Sequence, residues 1–233
     1  MPIYIFCREE KKYLLSPDEQ AHLLSRLSER ITPDAYPHNT IASEYLDTSD
    51  FRIIRASMDG GVYREKLRIR SYGRPRGGDP VFFEIKKKYK GIVYKRRVQT
   101  PYAAAHTYLA GGSKPTEGQI MDEIDHAMRV WERPQPRVLL AYERDAYFLR
   151  DFPAVRLTFD SAVRYRTESP FLTEGTEGKI ILPPDKVIAE IKTEGGMPLF
   201  LSHLLDELHI YPTRFSKYKT AYLDILKQER KND

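Results

Sequence analysis

The sequence predicts an α+β fold in which about eight antiparallel strands close into a barrel with a basic lumen and helices packed outside. Three observations lead there. In "YREKLRIRSYG" (63–73), Arg64, Lys66, Arg68 and Arg70 fall on every second residue, with Leu67 and Ile69 between them. Side chains alternate across a strand, so one face is partly apolar and the other carries a row of cations. The same pattern recurs on further segments along the chain. Finally, helices with apolar stripes interrupt these segments and need a sheet face to pack on.

Residues 3–15 alternate as a strand, with Arg8, Glu10 and Lys12 on one face. "SPDEQAHLLSRLSER" opens a helix. Ser16 is placed as its N-cap, Pro17 stands at the first helical position and Glu19 completes a capping box. "IASEYLD" (41–47) reads as a strand and "SDFRIIRASM" as a short helix. The basic strand then ends in the turn "GRPRGGDP" (73–80). Residues 81–99 form two strands joined near Gly91. Glu84, Lys86 and Lys88 share a face of the first, Lys95 and Arg97 a face of the second. A helix follows over 117–131. Strands follow over 136–149, with Tyr142 and Arg144 two apart, and over 154–166, with Arg156, Thr158 and Asp160 on one face. A polar loop covers 167–180. The strand 186–193 sets Ile188, Glu190 and Lys192 against Val187, Ala189 and Ile191. "MPLFLSHLLDELHI" and "SKYKTAYLDILKQER" end the chain as helices. No internal repeat or linker is visible, so residues 1–233 read as one domain.

Composition bounds the function. The chain has 233 residues, 41% apolar and 30% charged, an ordinary globular balance. No apolar run approaches a membrane span, and the N-terminus is too charged for a signal peptide. A single cysteine, Cys7, excludes disulfide frameworks and Cys-based zinc sites, and reads as a small apolar residue. A cytoplasmic location follows from these. The six histidines are scattered without ligand spacing. "AGGSK" (110–114) lacks the spacing of a phosphate-binding P-loop. The net charge of +5 points to an anionic partner. Nucleic acid has little support: there is no zinc-finger spacing, helix-turn-helix or RNP-like strand.

A solvated outer face accounts for one basic strand. It accounts poorly for several, because like charges on neighbouring positions repel. At about 5 Å and an effective dielectric near 20, each such pair costs roughly 3 kcal/mol. A lumen lined by such cations is strained when empty. A long, multiply charged anion, or a metal with phosphates, offsets the repulsion.

The motifs together resemble the catalytic domain of the vacuolar transporter chaperone (VTC) polyphosphate polymerases, of the triphosphate tunnel fold shared with the CYTH phosphatases and cyclases. The carriers are "REEKKYLL" (8–15), "EKLRIRSYG" (65–73), "FFEIKKKYKGIVYKRRV" (82–98), "LLAYERDAYF" (139–148), "VRLTFD" (155–160), "AEIKT" (189–193) and "YPTRFSKYKTAY" (211–222). The CYTH pattern E-x-E-x-K is replaced by Arg8, Glu10 and Lys12, which favours the polymerase branch. The resemblance implies a stand-alone domain that transfers the ATP γ-phosphate to inorganic polyphosphate. It implies that Lys12, Lys66, Lys95, Arg156 and Lys192 bind phosphate, helped by Tyr142, Ser216 and Lys217, and that Arg68, Arg70, Lys86 and Arg144 serve the transfer itself. It implies that Glu190 ligates Mn or Mg, with Glu84, Glu143 and Glu10 as tunnel salt-bridge partners or further ligands. ATP and polyphosphate are the expected partners, with a membrane protein accepting the polymer. A tri- or polyphosphate hydrolase and a non-catalytic polyphosphate-binding module are the alternatives.

Overall fold

The computed structural model describes residues 8–90 and 92–232. Residues 3–7 of the expected first strand, Cys7 and the junction at Gly91 lie outside them. The elements are β1 (Arg8–Leu15), α1 (Pro17–Leu27), β2 (Ile31–Asp47), α2 (Arg52–Met58), β3 (Tyr63–Tyr72), β4 (Pro80–Tyr89), β5 (Ile92–Pro101), α3 (Tyr102–Leu109), α4 (Gln119–Val130), β6 (Gln135–Leu149), β7 (Arg156–Arg166), β8 (Lys179–Ile180), β9 (Val187–Glu194), α5 (Leu199–Glu207) and α6 (Lys217–Asn232). The strands form one antiparallel sheet in the order β1-β9-β7-β6-β2-β3-β4-β5, with β8 beside β7. This confirms the α+β class and corrects the barrel. Among the described residues β1 and β5 are not paired with each other, and the ladder stays open. Residue alternation fixes which face is polar but not whether the two ends of a sheet meet.

Contacts group the chain into two compact units. One comprises the residues up to Asn39 with Tyr142–Val163 and Leu182–Ser216. The other comprises Thr40–Ala141, Arg164–Ile181 and the residues from Lys217 on.

In the first unit the covered sheet face carries Tyr13 and Leu15 of β1, Leu157 and Phe159 of β7, and Val187, Ala189 and Ile191 of β9. Leu23 and Leu27 of α1 and Leu201, Leu204 and Leu205 of α5 pack on it. Each buried leucine contributes roughly 1.5–3 kcal/mol, so this stripe, more than any single cap, holds the helices down. The expected capping box of α1 is present: Glu19 N donates to Ser16 Oγ at 3.1 Å, and Ser16 N donates to Glu19 Oε2 at 2.6 Å.

In the second unit Leu67, Ile69, Val81, Phe83 and Ile85 face α3 and α4, which contribute Ala105, Tyr108, Leu109, Met121, Ile124, Ala127 and Met128. The sequence reading missed α3. The buried Glu44 accepts hydrogen bonds from Tyr102 Oη (2.9 Å) and Leu172 N (2.7 Å) and lies 2.8 Å from His106 Nε2, which ties this helix to β2.

The two units repeat a short motif. The central strand of each carries the same triplet, Glu84-Ile85-Lys86 on β4 and Glu190-Ile191-Lys192 on β9. Ile85 and Ile191 point into the two cores. The glutamate and lysine therefore take the opposite face. Three residues are too few to register as a repeat in the sequence. No described helix is long and apolar enough to cross a membrane.

Candidate functional site: two cation-ringed glutamates

Register places the cations of the second unit abreast. Across β3, β4 and β5 the rows are Arg68–Glu84–Arg97 and Lys66–Lys86–Lys95. Glu84 is 1% exposed. Its Oε2 accepts from Arg68 Nε at 2.7 Å and lies 2.6 Å from Arg68 Nη2, and its Oε1 lies 2.8 Å from Lys95 Nζ. Arg70 Nε stands 3.8 Å away. Arg68 also donates to Tyr45 Oη at 3.0 Å, and Arg70 to Ser43 Oγ at 3.4 Å. The Tyr45 ring stacks on Tyr218 of α6 at 4.3 Å, with Lys66 Nζ 5.9 Å from the Tyr218 ring. Tyr218 in turn donates to the buried Asp47, which also accepts the amides of Ile53 and Ile54 at the start of α2.

Glu84 thus draws Arg68, Arg70 and Lys95 to one point, with Lys66 and Lys86 in the neighbouring row. Burial opposes ionisation of Glu84, but Arg68, Arg70 and Lys95 overcome it and hold the carboxyl well below the usual range. Burial draws the Lys95 ammonium down to about 8, against the pull of Glu84 and with help from Arg70 and Arg68. For Tyr45, burial favours the neutral phenol. The charges of Arg68, Lys66 and Arg70 prevail and bring it to about 8.

These two groups give a signed expectation. As pH rises through about 8, Lys95 loses a positive charge and Tyr45 gains a negative one. Both changes disfavour an anion. Calorimetric affinity for tripolyphosphate should therefore fall above pH 8, and should fall less in Tyr45→Phe. Comparing the two proteins with the same ligand removes the ligand's own titration. An identical pH profile for both would rule out ionisation of Tyr45.

The first unit is more evenly balanced. Glu190, 5% exposed, lies 3.0 Å from Lys12 Nζ, 3.3 Å from Lys192 Nζ and 3.7 Å from Arg144 Nη2. Lys12 also lies 3.3 Å from Glu10. Arg144 forms a two-pronged pair with the fully buried Asp160, at 2.6 and 2.7 Å, and its guanidinium stands 5.2 Å from the Tyr142 ring. Burial works against the Arg144 charge, but Tyr142, Asp160 and Glu190 hold the proton on more firmly than usual. Arg156 donates to Asp34 at 2.5 Å.

The structure therefore sorts the expected residues into two groups. Lys66, Arg68, Arg70, Lys86 and Lys95 fall with Glu84, and Lys12, Arg144, Arg156 and Lys192 with Glu190. Tyr142 joins the second group. Ser216 immediately precedes α6 and Lys217 is its first residue, where helix geometry favours an anion. Glu84 is a salt-bridge partner. Glu143 alternates onto the opposite face of β6 from Tyr142 and Arg144, so it does not join them. Lys87 and Arg96 approach Glu123 on α4 at 3.8 and 3.9 Å. Tyr45 and Asp34 were missed by sequence reasoning, whereas Asp160 was placed on the charged strand face with Arg156 but given no role. For Asp34 there was no signal.

Among the described residues no three His, Cys, Asp or Glu side chains converge as a metal cage. Glu190 fits a different arrangement, in which a hard cation takes one protein carboxylate and completes its shell with phosphate oxygens and water.

The VTC domain profile matches residues 7–225. Two solved structures share the fold. A candidate adenylate cyclase from Bacillus halodurans aligns with TM-score 0.54 and 17% identity, over 90% of this chain and 95% of that one. Another from Vibrio parahaemolyticus aligns with TM-score 0.50 and 10% identity, over 93% and 98%. At such identities the likeness is one of fold alone. No curated protein matches the chain.

Proposed function

The chain belongs to the VTC domain family, and from that membership we propose that it transfers the ATP γ-phosphate to a growing inorganic polyphosphate chain. The observation that carries this is the convergence of Arg68, Arg70 and Lys95 on the buried Glu84, with Lys66 and Lys86 in the adjacent row of the same sheet face. That arrangement suits several neighbouring phosphates better than one compact anion.

Phosphoryl transfer asks little covalent chemistry of a protein and much positioning and charge neutralisation. A terminal oxygen of the polyphosphate acceptor attacks the γ-phosphorus. The bond from that phosphorus to the β,γ-bridging oxygen breaks, ADP leaves with the electron pair, and the polymer gains one unit. With an ionised acceptor no proton moves. In this reading Arg68, Arg70 and Lys86 in the one unit, and Arg144 in the other, serve charge neutralisation during the transfer. Lys12, Lys66, Lys95, Arg156 and Lys192 hold phosphates, with Tyr142, Ser216 and Lys217 assisting. Glu190, with substrate oxygens, would hold the Mn or Mg expected of the family. The ion would add positive charge at the phosphates. Lys12, Lys192 and Arg144, which stand around Glu190, would be within reach of the same phosphates.

The test is product analysis after incubation of the pure protein with ATP and Mn. Polymer on a gel with stoichiometric ADP is expected. Free phosphate without polymer would make the protein a hydrolase, and no turnover would make it a binding module.

A further inference from the structure

We propose that Tyr72, backed by Phe82 and Arg97, is a stacking platform for the base of the nucleotide whose phosphates the Glu84 cluster holds. The proposal rests on the reading of that cluster as a phosphate site and adds the part of the substrate that phosphate chemistry does not touch.

Tyr72 follows Arg70 by two residues, so both stand on the same face of β3. Phe82 is the register partner of Arg70 on β4, and it precedes Glu84 by two on the same face. The cationic rows thus end in aromatic rings. Tyr72 is 53% exposed. Its ring meets Phe82 edge-on, at 6.0 Å and 90°. The Arg97 guanidinium covers Phe82 at 4.5 Å. Phe82 is therefore covered by Arg97 and buttressed by Tyr72, while about half of the Tyr72 surface is left to solvent.

Two large rings at the end of a charged strand face need a reason, because a solvated strand end is served by Thr or Ser. Geometry supplies one. Two residues along a strand span about 6.6 Å, close to the reach of a ribose between its phosphate and its base. A nucleotide with its innermost phosphate at Arg70 would bring its base over Tyr72. Polyphosphate and tripolyphosphate have nothing to put there. The platform would thus separate nucleotide donor from polymer acceptor by chemistry that the cations cannot supply. Stacking on an aromatic face accepts any base, so the platform selects for a nucleotide rather than for adenine.

The test measures binding of ATP and of tripolyphosphate to the wild-type protein, Tyr72→Ala and Tyr72→Phe. Each ligand is compared with itself across proteins, so their different charges cancel. Tyr72→Ala should weaken ATP about 5- to 150-fold, the range seen when a stacked ring is removed, and leave tripolyphosphate unchanged. Tyr72→Phe should keep wild-type affinity for both. If Tyr72→Ala weakens the two ligands equally, or neither, the platform is refuted while the phosphate site stands. If neither ligand binds the wild-type protein, the phosphate reading fails and the platform with it.

Discussion

Arg68→Ala is expected to lower turnover about 10²–10³-fold, the usual loss when one preorganised donor to a developing charge is removed. It is also expected to lower the melting temperature. Arg68 gives Glu84 its shortest contacts, at 2.6 and 2.7 Å, and Glu84 is almost wholly buried. Losing a charge-assisted bond of this kind costs about 1.5–3 kcal/mol. Lys95 and Arg70 remain nearby, so the carboxylate is not left alone. The double variant Arg68→Ala/Glu84→Gln should recover much of the stability and none of the turnover. A single variant with normal turnover would remove Arg68 from the transfer chemistry.

The stability half of that expectation has the opposite sign to what the sequence suggests. Read as a row of like charges, the strand should gain stability when a cation is removed. The structure reverses this because Glu84 sits on the neighbouring strand directly opposite Arg68. Which residues of one strand face which residues of the next is set by turns and by the whole sheet, not by either strand.

Glu190→Gln is expected to reduce metal-supported turnover by about 10²-fold or more. The substitution keeps the shape and removes the charge that a hard cation requires. It also leaves Lys12, Lys192 and Arg144 around a neutral amide, so affinity for orthophosphate without metal should rise. The two readouts move in opposite directions, which simple unfolding does not produce. Unchanged turnover with an unchanged metal requirement would free Glu190 of the role and turn attention to Glu10, which shares Lys12 with it.

Local pattern was legible wherever one residue type alternated with another. The basic face of β3, the capping box of α1 and the faces of β9 all follow from period and composition. What depended on distant partners was not. The first ten residues of β2 contain Pro33 and Pro37, which argue against a strand. β3 pairs with β2 only over Ile41–Leu46, so the earlier residues lack that neighbour and behave as an edge, where proline is tolerated. Open or closed ends of the sheet are likewise a matter of register. The carboxylates Asp160 and Asp34 show the same limit at the site: each is paired with an arginine on another element, Arg144 and Arg156.

The central claim is that these charged sheet faces are polyphosphate sites and not solvated surface. Melting temperature with added anions tests it most directly. A ligand bound only by the native state at about a hundred times its Kd contributes roughly 2.7 kcal/mol. Tripolyphosphate, pyrophosphate and orthophosphate at equal concentration should stabilise the protein in that order, because longer chains engage more of Lys66, Arg68, Arg70, Lys86 and Lys95. The Arg68 and Arg70 side chains are only 17% and 10% exposed, so moderate salt should leave most of the effect. Duplex DNA, whose phosphates cannot reach recessed guanidinium groups, should do little. Equal shifts for the three phosphates, stabilisation by DNA to the same degree as by tripolyphosphate, or loss of the shift at moderate salt would each contradict the account.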